Sequence, residues 1–474
     1  MTDLSNLGIV DAAAAIRAGE ITAENLADSL LARAAAHADL NAFIALDPER
    51  VRAAAREADR HGKSGDALGP LGGVPLALKD NIDTADLPTT AGTPGLRDNR
   101  PFRDAPIVGA LRDAGAIMFG KCNMHELAFG ITNNNAAFGP ARNPYDPTRI
   151  PGGSSGGTAV AVAARLVPGG IGTDTGGSVR VPAALCGIVG FRPSAGRWSQ
   201  AGIVPISHTR DTAGPIARSV ADCALIDAIV TGEPTIHDIA PLKGLRLGVP
   251  RRHFWEGLDD ELGQICAATL DCLRGAGVTL VEIDLSEAAR LDAAAGFPIA
   301  LHETVIDLGA YLADHGSALD FATLAARSAS PDVNGLLCGL ADAGAVPEAV
   351  YRTAIDVHRP ALQEVYRHAF REHGIAAVIF PTTPAPAAAI GEDENFMING
   401  VAVPTFTSFI RNCGPGSVAG IPGLSLPAGM NHAGLPIGIE IDGPAGSDRR
   451  LLAVGDALAM LLPPLPAPKL AHRQ

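Results

Sequence analysis

The sequence predicts an α/β fold built on a mainly parallel or mixed sheet. Three observations carry that expectation. Short apolar runs alternate with segments of helical periodicity, Gly and Pro turns punctuate the alternation, and no repeat or linker divides the chain. Residues 9–37 have helical patterning with start signals at Asp11 and Thr22, and residues 48–60 read as a further exposed helix. After a Gly-rich turn at 62–73, GGVPLALKDNID contains the unbroken apolar run of a buried strand. IVGALRDAGAIMFGKCNM then reads as helix, turn and strand. From 130 to 158 periodicity disappears: GITNNNAAFGPARNPYDPTRIPGGSSGG is rich in Gly, Pro and Asn, and a loop of that length is usually functional or disordered. It runs into TAVAVAARL, a small-residue helix with a buried character, and then a second Gly-rich turn, GTDTGGS, leads into VRVPAALCGIVGFRPS. Residues 242–290 restart the pattern, with strands at GLRLGVP and VTLVEIDL around the helix DDELGQICAATLDCLRGAG. Residues 295–375 read as mainly helical, AAVIFPTTPAP as a buried strand, and IPGLSLPAG with GLPIGIEIDGP as two closing strands.

The chain has 474 residues, 47% hydrophobic and 19% charged, which is enough to bury a large core. Its net charge of −14 argues against a nucleic-acid partner, because phosphate binding needs a basic surface. The seven cysteines show no C-x-x-C spacing and no Cys/His clustering, the pattern of reduced thiols in a cytoplasmic protein. No basic segment leads into an apolar run near residue 1, so a secretory signal is not expected. No stretch approaches the ~18 uninterrupted apolar residues of a membrane span. The expected partner is a small molecule, with neither nucleic acid nor membrane.

Lysine is scarce, at positions 63, 79, 121, 243 and 469 only. Lys79 ends an apolar run, where a solvated amine is out of place. A buried lysine lacking an acid loses its proton and becomes a candidate general base. The competing reading is a structural ion pair with Asp80 or Asp83, and the strand alone does not choose between them. Lys121, in GAIMFGKC, nearly matches the phosphate-loop pattern, but Cys122 replaces the hydroxyl that would hold magnesium, and a strand end fits better. Ser154 lies in GGSSGG, which contains G-x-S-x-G. A nucleophile elbow needs a strand directly before the serine, and NPYDPTRIP cannot be one. Ser178 lies in GTDTGGSVR, where consecutive glycines allow backbone N–H groups to converge on an oxyanion. Acyl transfer needs a nucleophile, a base and an oxyanion hole, and the base can be lysine. Two Gly-framed serines 24 residues apart, with a lysine in an apolar strand, supply all three. No S-x-x-K, zinc spacing or H-E-x-x-H occurs, so no metal and no cofactor are expected, and His125 and His208 read as structural or pocket-wall residues.

In that order and spacing, GVPLALKDNID, GGSSGGTAVAVAA and GTDTGGSVRVPAALCGIVGFRPS strongly resemble the amidase signature family, and the likeness runs over nearly the whole chain. The resemblance implies a large mixed, mostly parallel twisted sheet flanked by helices on both faces. It implies a single domain over 1–474: an N-terminal helical segment at 1–65, a catalytic core at 66–240, an α/β and helical insertion shaping the pocket at 241–400, and closing strands with a C-terminal helix at 401–474. It also implies a Ser–cisSer–Lys triad in which Ser178 is acylated, Ser154 follows a cis peptide bond and relays the proton, and Lys79 is the terminal base. By the same analogy Thr175, Gly176, Gly177 and Ser178 line the oxyanion hole, Ser155, Asp174 and Arg180 brace the triad, and Phe129, Gly130, Ile131 and Thr132 contact substrate. HELAFGITNNNAAFG, GIVPISHTRDTAGPIARSVADCALID and CGPGSVAGIPGLSLPAG are most similar to the arylalkyl-amide branch of indoleacetamide and mandelamide hydrolases. The expected reaction is therefore cleavage of a small primary amide to acid and ammonia. Anilides, esters, carbamates or hydrazides, or an amidotransferase A-type subunit needing a partner, stay open as alternatives. The glutamine-dependent relatives carry an acid just before GSVAGIPGLSLP; here Arg411, Asn412 and Cys413 stand there, which argues against glutamine. Homodimers are common in the family.

Overall fold

Runs rich in apolar residues become central strands where both of their faces can be covered. The computed structural model describes residues 3–64, 68–234, 240–342 and 344–470; the boundary expected at 65–66 lies outside them. The strands are β1 (Phe43–Leu46), β2 (Pro75–Lys79), β3 (Ile117–Cys122), β4 (Gly169–Asp174), β5 (Val189–Arg192), β6 (Thr212–Ala217) and β7 (Arg246–Pro250). They continue with β8 (Thr279–Ile283), β9 (Ala377–Pro381), β10 (Asn395–Ile398), β11 (Val401–Pro404), β12 (Gly423–Met430) and β13 (Pro436–Asp442). Eleven of them form one sheet in the order β1-β3-β2-β4-β6-β5-β12-β13-β9-β7-β8, and β10 pairs with β11 apart from it. Every residue of β2, β3, β4, β5, β6, β9 and β13 is buried, which is why these segments read as unbroken apolar runs rather than as alternations.

The sheet is mixed, but the balance of directions departs from the mostly parallel arrangement expected. Only the β2–β3, β2–β4, β7–β8 and β7–β9 pairings are parallel; β1–β3, β4–β6, β5–β6, β5–β12, β12–β13 and β9–β13 are antiparallel. For one of these pairs the cause is connection length. A tight turn joins β12 to β13, too short for the crossover a parallel pair requires.

The segments that position the site follow from local composition. The helix Gly156–Ala163 is buried at all eight residues, and its small side chains let it lie against β4 and β2. A methyl group at Gly157 would overlap the Asn123 carbonyl oxygen and backbone nitrogen. Across 130–155 the chain forms no helix and no strand beyond a bridge between Arg149 and Ala389, yet asparagines pin it. Asn135 Nδ2 donates to the carbonyls of Gly92 (2.8 Å) and Met124 (3.0 Å), and Asn143 Nδ2 donates to that of Leu185 (2.8 Å). These amides satisfy backbone groups that no ladder reaches. The 29-residue helix Ser286–Asp314 and the helix Arg359–His373 share an apolar cluster with Phe254, Phe380 and Ile421. The β10–β11 hairpin turns at Asn399 and Gly400, both at positive φ (50° and 80°), and delivers the chain to the helix Thr405–Ile410.

Gly157→Ala is expected to lower stability by about 1–3 kcal/mol or more, since the intruding methyl meets backbone that cannot step aside. Gly109→Ala, in a helix with open space around it, is expected to leave stability unchanged or raise it by up to ~1 kcal/mol. Urea unfolding of the two variants beside the parent checks both.

Candidate active site

β2 delivers Lys79 to the sheet's interior between β3 and β4, with no exposed surface. Its Nζ donates to Ser154 Oγ at 2.7 Å, to Thr173 Oγ1 at 2.7 Å and to the Thr173 carbonyl at 3.4 Å. Burial pulls the ammonium down to about 7, against a weaker upward pull from Asp174 and Asp211. A neutral amine keeps a lone pair, so the contact to Ser154 can reverse and accept the hydroxyl proton. The ion pair considered for Lys79 is absent because both neighbouring acids are engaged elsewhere. Asp80 stands 3.5 Å from Lys121 and accepts from Thr90, while Asp83 accepts from Tyr311 Oη (2.8 Å) and meets His315 Nε2 (2.7 Å). Lys121 also donates to the Pro88 carbonyl and Thr89 Oγ1, both at 2.9 Å.

The Gly153–Ser154 peptide bond is cis, and the helix Gly156–Ala163 starts just beyond Ser155. Ser155 Oγ donates to the Thr173 carbonyl (3.1 Å) and accepts from the Thr173 N–H (3.2 Å), and the Ser155 N–H donates to the Ser178 carbonyl (3.3 Å). One residue thereby stitches the first serine loop to β4 and to the second.

β4 ends at Asp174, whose carboxylate organises the second serine loop. It accepts from the N–H groups of Gly177 (2.8 Å) and Val179 (3.1 Å), from Arg180 Nε and Nη2 (3.1 Å each) and from Arg192 Nη1 (3.0 Å). Burial alone would push this carboxyl up; Arg180 and Arg192 outweigh it and hold it well below the usual range. Arg180 donates further to Glu440 (2.5 Å) and Ser417 (2.6 Å), tying the loop to β13 and to the helix Gly414–Ala419. Of the four N–H groups that the family resemblance implies for an oxyanion, that of Gly177 is taken by Asp174. The N–H groups of Thr175, Gly176 and Ser178 have no hydrogen-bond partner among the described residues, and these three residues line a cavity of about 380 Å³. That is within the range of small-ligand sites. Ser178 opens on the same cavity, and no hydrogen bond joins its hydroxyl to that of Ser154. Contacts of this kind often close only when substrate is bound.

Of the four residues that the resemblance implies for substrate contact, Phe129, Gly130 and Ile131 line the cavity and Thr132 does not. It is buried, and its hydroxyl accepts from the Asn134 N–H at 3.3 Å, a local turn that draws it away from the site. His125 accepts from the Asn133 N–H and meets Asp332 at 3.0 Å, while His208 pairs with Asp307. His208, Glu303 and Asp307 offer ligand atoms within 4.8 Å of one another, but Glu303 is already met by Ser207, Thr209 and Tyr351. Sequence reasoning missed Thr173, which holds Lys79, and Arg192, which holds Asp174. Arg192 carried the same signal as Lys79, a cation inside an apolar strand. It also missed Arg210, which lies within GIVPISHTRDTAGPIARSVADCALID, and Asp292, Phe297 and Phe406 of the cavity wall, which belong to no motif.

An eleven-stranded mixed sheet with two stitched serine loops and a buried lysine defines a class, and comparison names it. The amidase family profile matches residues 25–452, and the chain belongs to the amidase family. It is 46% identical to the indoleacetamide hydrolase of Agrobacterium vitis over 443 residues, covering 94% of each chain. It is 40% identical to the mandelamide hydrolase of Pseudomonas putida, covering 98% of this chain and 93% of that one. The crystal structure of the peptide amidase of Stenotrophomonas maltophilia superposes with a TM-score of 0.85 at 31% identity, over 98% of this chain and 99% of that one.

Asp174→Ala is expected to cost about 3–5 kcal/mol, because it leaves the buried Arg192 guanidinium without its counter-charge and Arg180 with Glu440. The carboxyl is held low in the folded state, so its contribution is present above the ordinary carboxylate range and lost as pH falls below it. Thermal unfolding of parent and variant across acidic and neutral pH checks size and sign.

Proposed function

We propose that the chain hydrolyses a small primary amide with an arylalkyl acyl group, giving a carboxylic acid and ammonia. The observation that carries this reading is Lys79: fully buried, without an acid in ion-pair contact among the described residues, and 2.7 Å from Ser154 Oγ. Neutral Lys79 takes the proton of Ser154 while Ser154 takes that of Ser178, and Ser178 Oγ adds to the amide carbon. The N–H groups of Thr175, Gly176 and Ser178 receive the oxyanion. The relay then returns a proton to the nitrogen, the C–N bond breaks, and ammonia leaves an acyl group on Ser178. Water attacks this ester by the same proton path, and the acid departs. Ser155, Asp174 and Arg180 act by holding the two loops in register. The aryl preference rests on the indoleacetamide and mandelamide hydrolase relatives and on the phenylalanines of the cavity wall, Phe129, Phe297 and Phe406. A cytoplasmic setting fits the seven unpaired cysteines, and none of the described helices is long and apolar enough to cross a membrane.

Ammonia release is the direct test, with indoleacetamide, mandelamide, phenylacetamide, benzamide, an aliphatic amide and glutamine as substrates. Turnover of the arylalkyl amides is expected, with a loss of roughly 10³-fold or more in Ser178→Ala. Ser178→Ala at near-parental rates refutes the nucleophile assignment.

The base must be neutral, so kcat/KM is expected to fall about tenfold per pH unit below about 7 and to level off above it. A flat profile through that region removes Lys79 from the role.

A further inference from the structure

The helix Ser286–Asp314 forms one wall of the cavity with Asp292, Gly296, Phe297, Ala300 and Leu301. Asp292 stands out on it. Its carboxylate makes no hydrogen bond and no ion pair within 4.0 Å among the described residues, although it faces a wall that is largely apolar. Two glycines clear the space around it. A methyl at Gly414 would lie 2.7 Å from Asp292 Oδ2, and one at Gly296 would lie 3.0 Å from Asp292 Oδ1 and 3.5 Å from Arg210 Nη1. Arg210 is buried beside the serine loop: a methyl at Gly176 would lie 3.4 Å from its Nη2. It spends one donor on the Gly296 carbonyl at 2.5 Å and leaves Nε unpartnered. A carboxylate and a guanidinium thus approach each other across Gly296 without pairing.

An unpartnered carboxylate in such a wall is costly, and a hydrogen-bond donor on the ligand relieves that cost. Asp292 is acceptor-only when ionised. Burial raises its pKa to about 6, against the pull of Arg210, so it is charged where Lys79 is neutral. The adjacent guanidinium offsets that charge and disfavours a second cation, which selects a neutral donor over an ammonium group.

We infer that Asp292 is a specificity residue that accepts a hydrogen bond from a neutral N–H or O–H on the acyl group of the substrate. The inference rests on the amide-hydrolase reading and deepens it. A ring N–H and an α-hydroxyl present the same chemistry, and substrate pairs separate them. A site built around a donor rejects the analogue lacking it, because the half-buried acceptor, sealed in by the ligand, is then left unpaired.

The experiment compares kcat/KM for indole-3-acetamide against its oxygen isostere benzofuran-3-acetamide, and for mandelamide against phenylacetamide, with phenylalaninamide as the ammonium probe. The parent is expected to favour the donor-bearing member of one pair by roughly tenfold or more. Asp292→Leu is expected to bring that ratio close to one while still turning over the donor-free member, and Asp292→Asn to retain part of the ratio. The pair that responds locates the donor on the ring or on the α-carbon. Equal ratios in parent and Asp292→Leu, or no preference in the parent, overturn the inference. So does a preference for phenylalaninamide that Asp292→Leu abolishes. Turnover without discrimination defeats this inference alone, whereas silence of the parent on every amide defeats the amide-hydrolase reading beneath it.

Discussion

The carboxylate of Asp174 sits where strand β4 ends and the serine loop begins, and the order of that loop depends on it. Two guanidinium groups and two backbone N–H groups converge on it. Through Arg180 it reaches Glu440 on β13 and Ser417, and through Arg192 it reaches β5. A buried cluster of this kind contributes little net stability over an apolar alternative, because desolvation offsets most of the attraction. What it supplies is geometry. Only one arrangement satisfies all its donors, and in that arrangement the Gly177 N–H is consumed while those of its neighbours are left unpaired beside the cavity.

The lysine shows the opposite use of burial. Asp174 is charged because cations surround it, whereas burial pulls Lys79 toward neutrality, and the acids next to it in the chain are committed to Lys121, Tyr311 and His315. The sheet enforces both states at once. β2 and β4 are parallel and adjacent, so Lys79 and the serine loop emerge at the same end of the sheet.

Much of the site was legible in the sequence, and the gaps have physical causes. Lys79 could be read because a lysine closing an apolar run is anomalous, and both serines could be read because glycines frame them. Whether Lys79 pairs with Asp80 or Asp83 was not legible, since the answer depends on Lys121 and on Tyr311 and His315, residues remote in the chain. The fate of the Gly177 N–H depends on how Asp174 folds back, which no spacing reveals, and Thr132 looked like its lining neighbours until its own turn was seen. Strand direction was misjudged in the same way: local alternation identifies strands, but direction depends on whether a connection is a hairpin or a crossover. Asp292, within LDAAAG, looks like any surface charge on a helix, and only the fold turns it into the cavity.

The wall and the chemistry are carried by different parts of the chain. Lys79, Ser154 and Ser178 come from β2 and from the loops beside β4. The helix Ser286–Asp314 packs through apolar clusters, with Phe254, Tyr366 and Phe380 on one side and Leu96, Leu324 and Leu337 on another. Among the described residues, none of its cavity-facing side chains hydrogen-bonds Lys79, Ser154 or Ser178. Such an architecture is open to change by small steps: acyl preference can drift under selection while the bond-breaking apparatus is inherited unaltered.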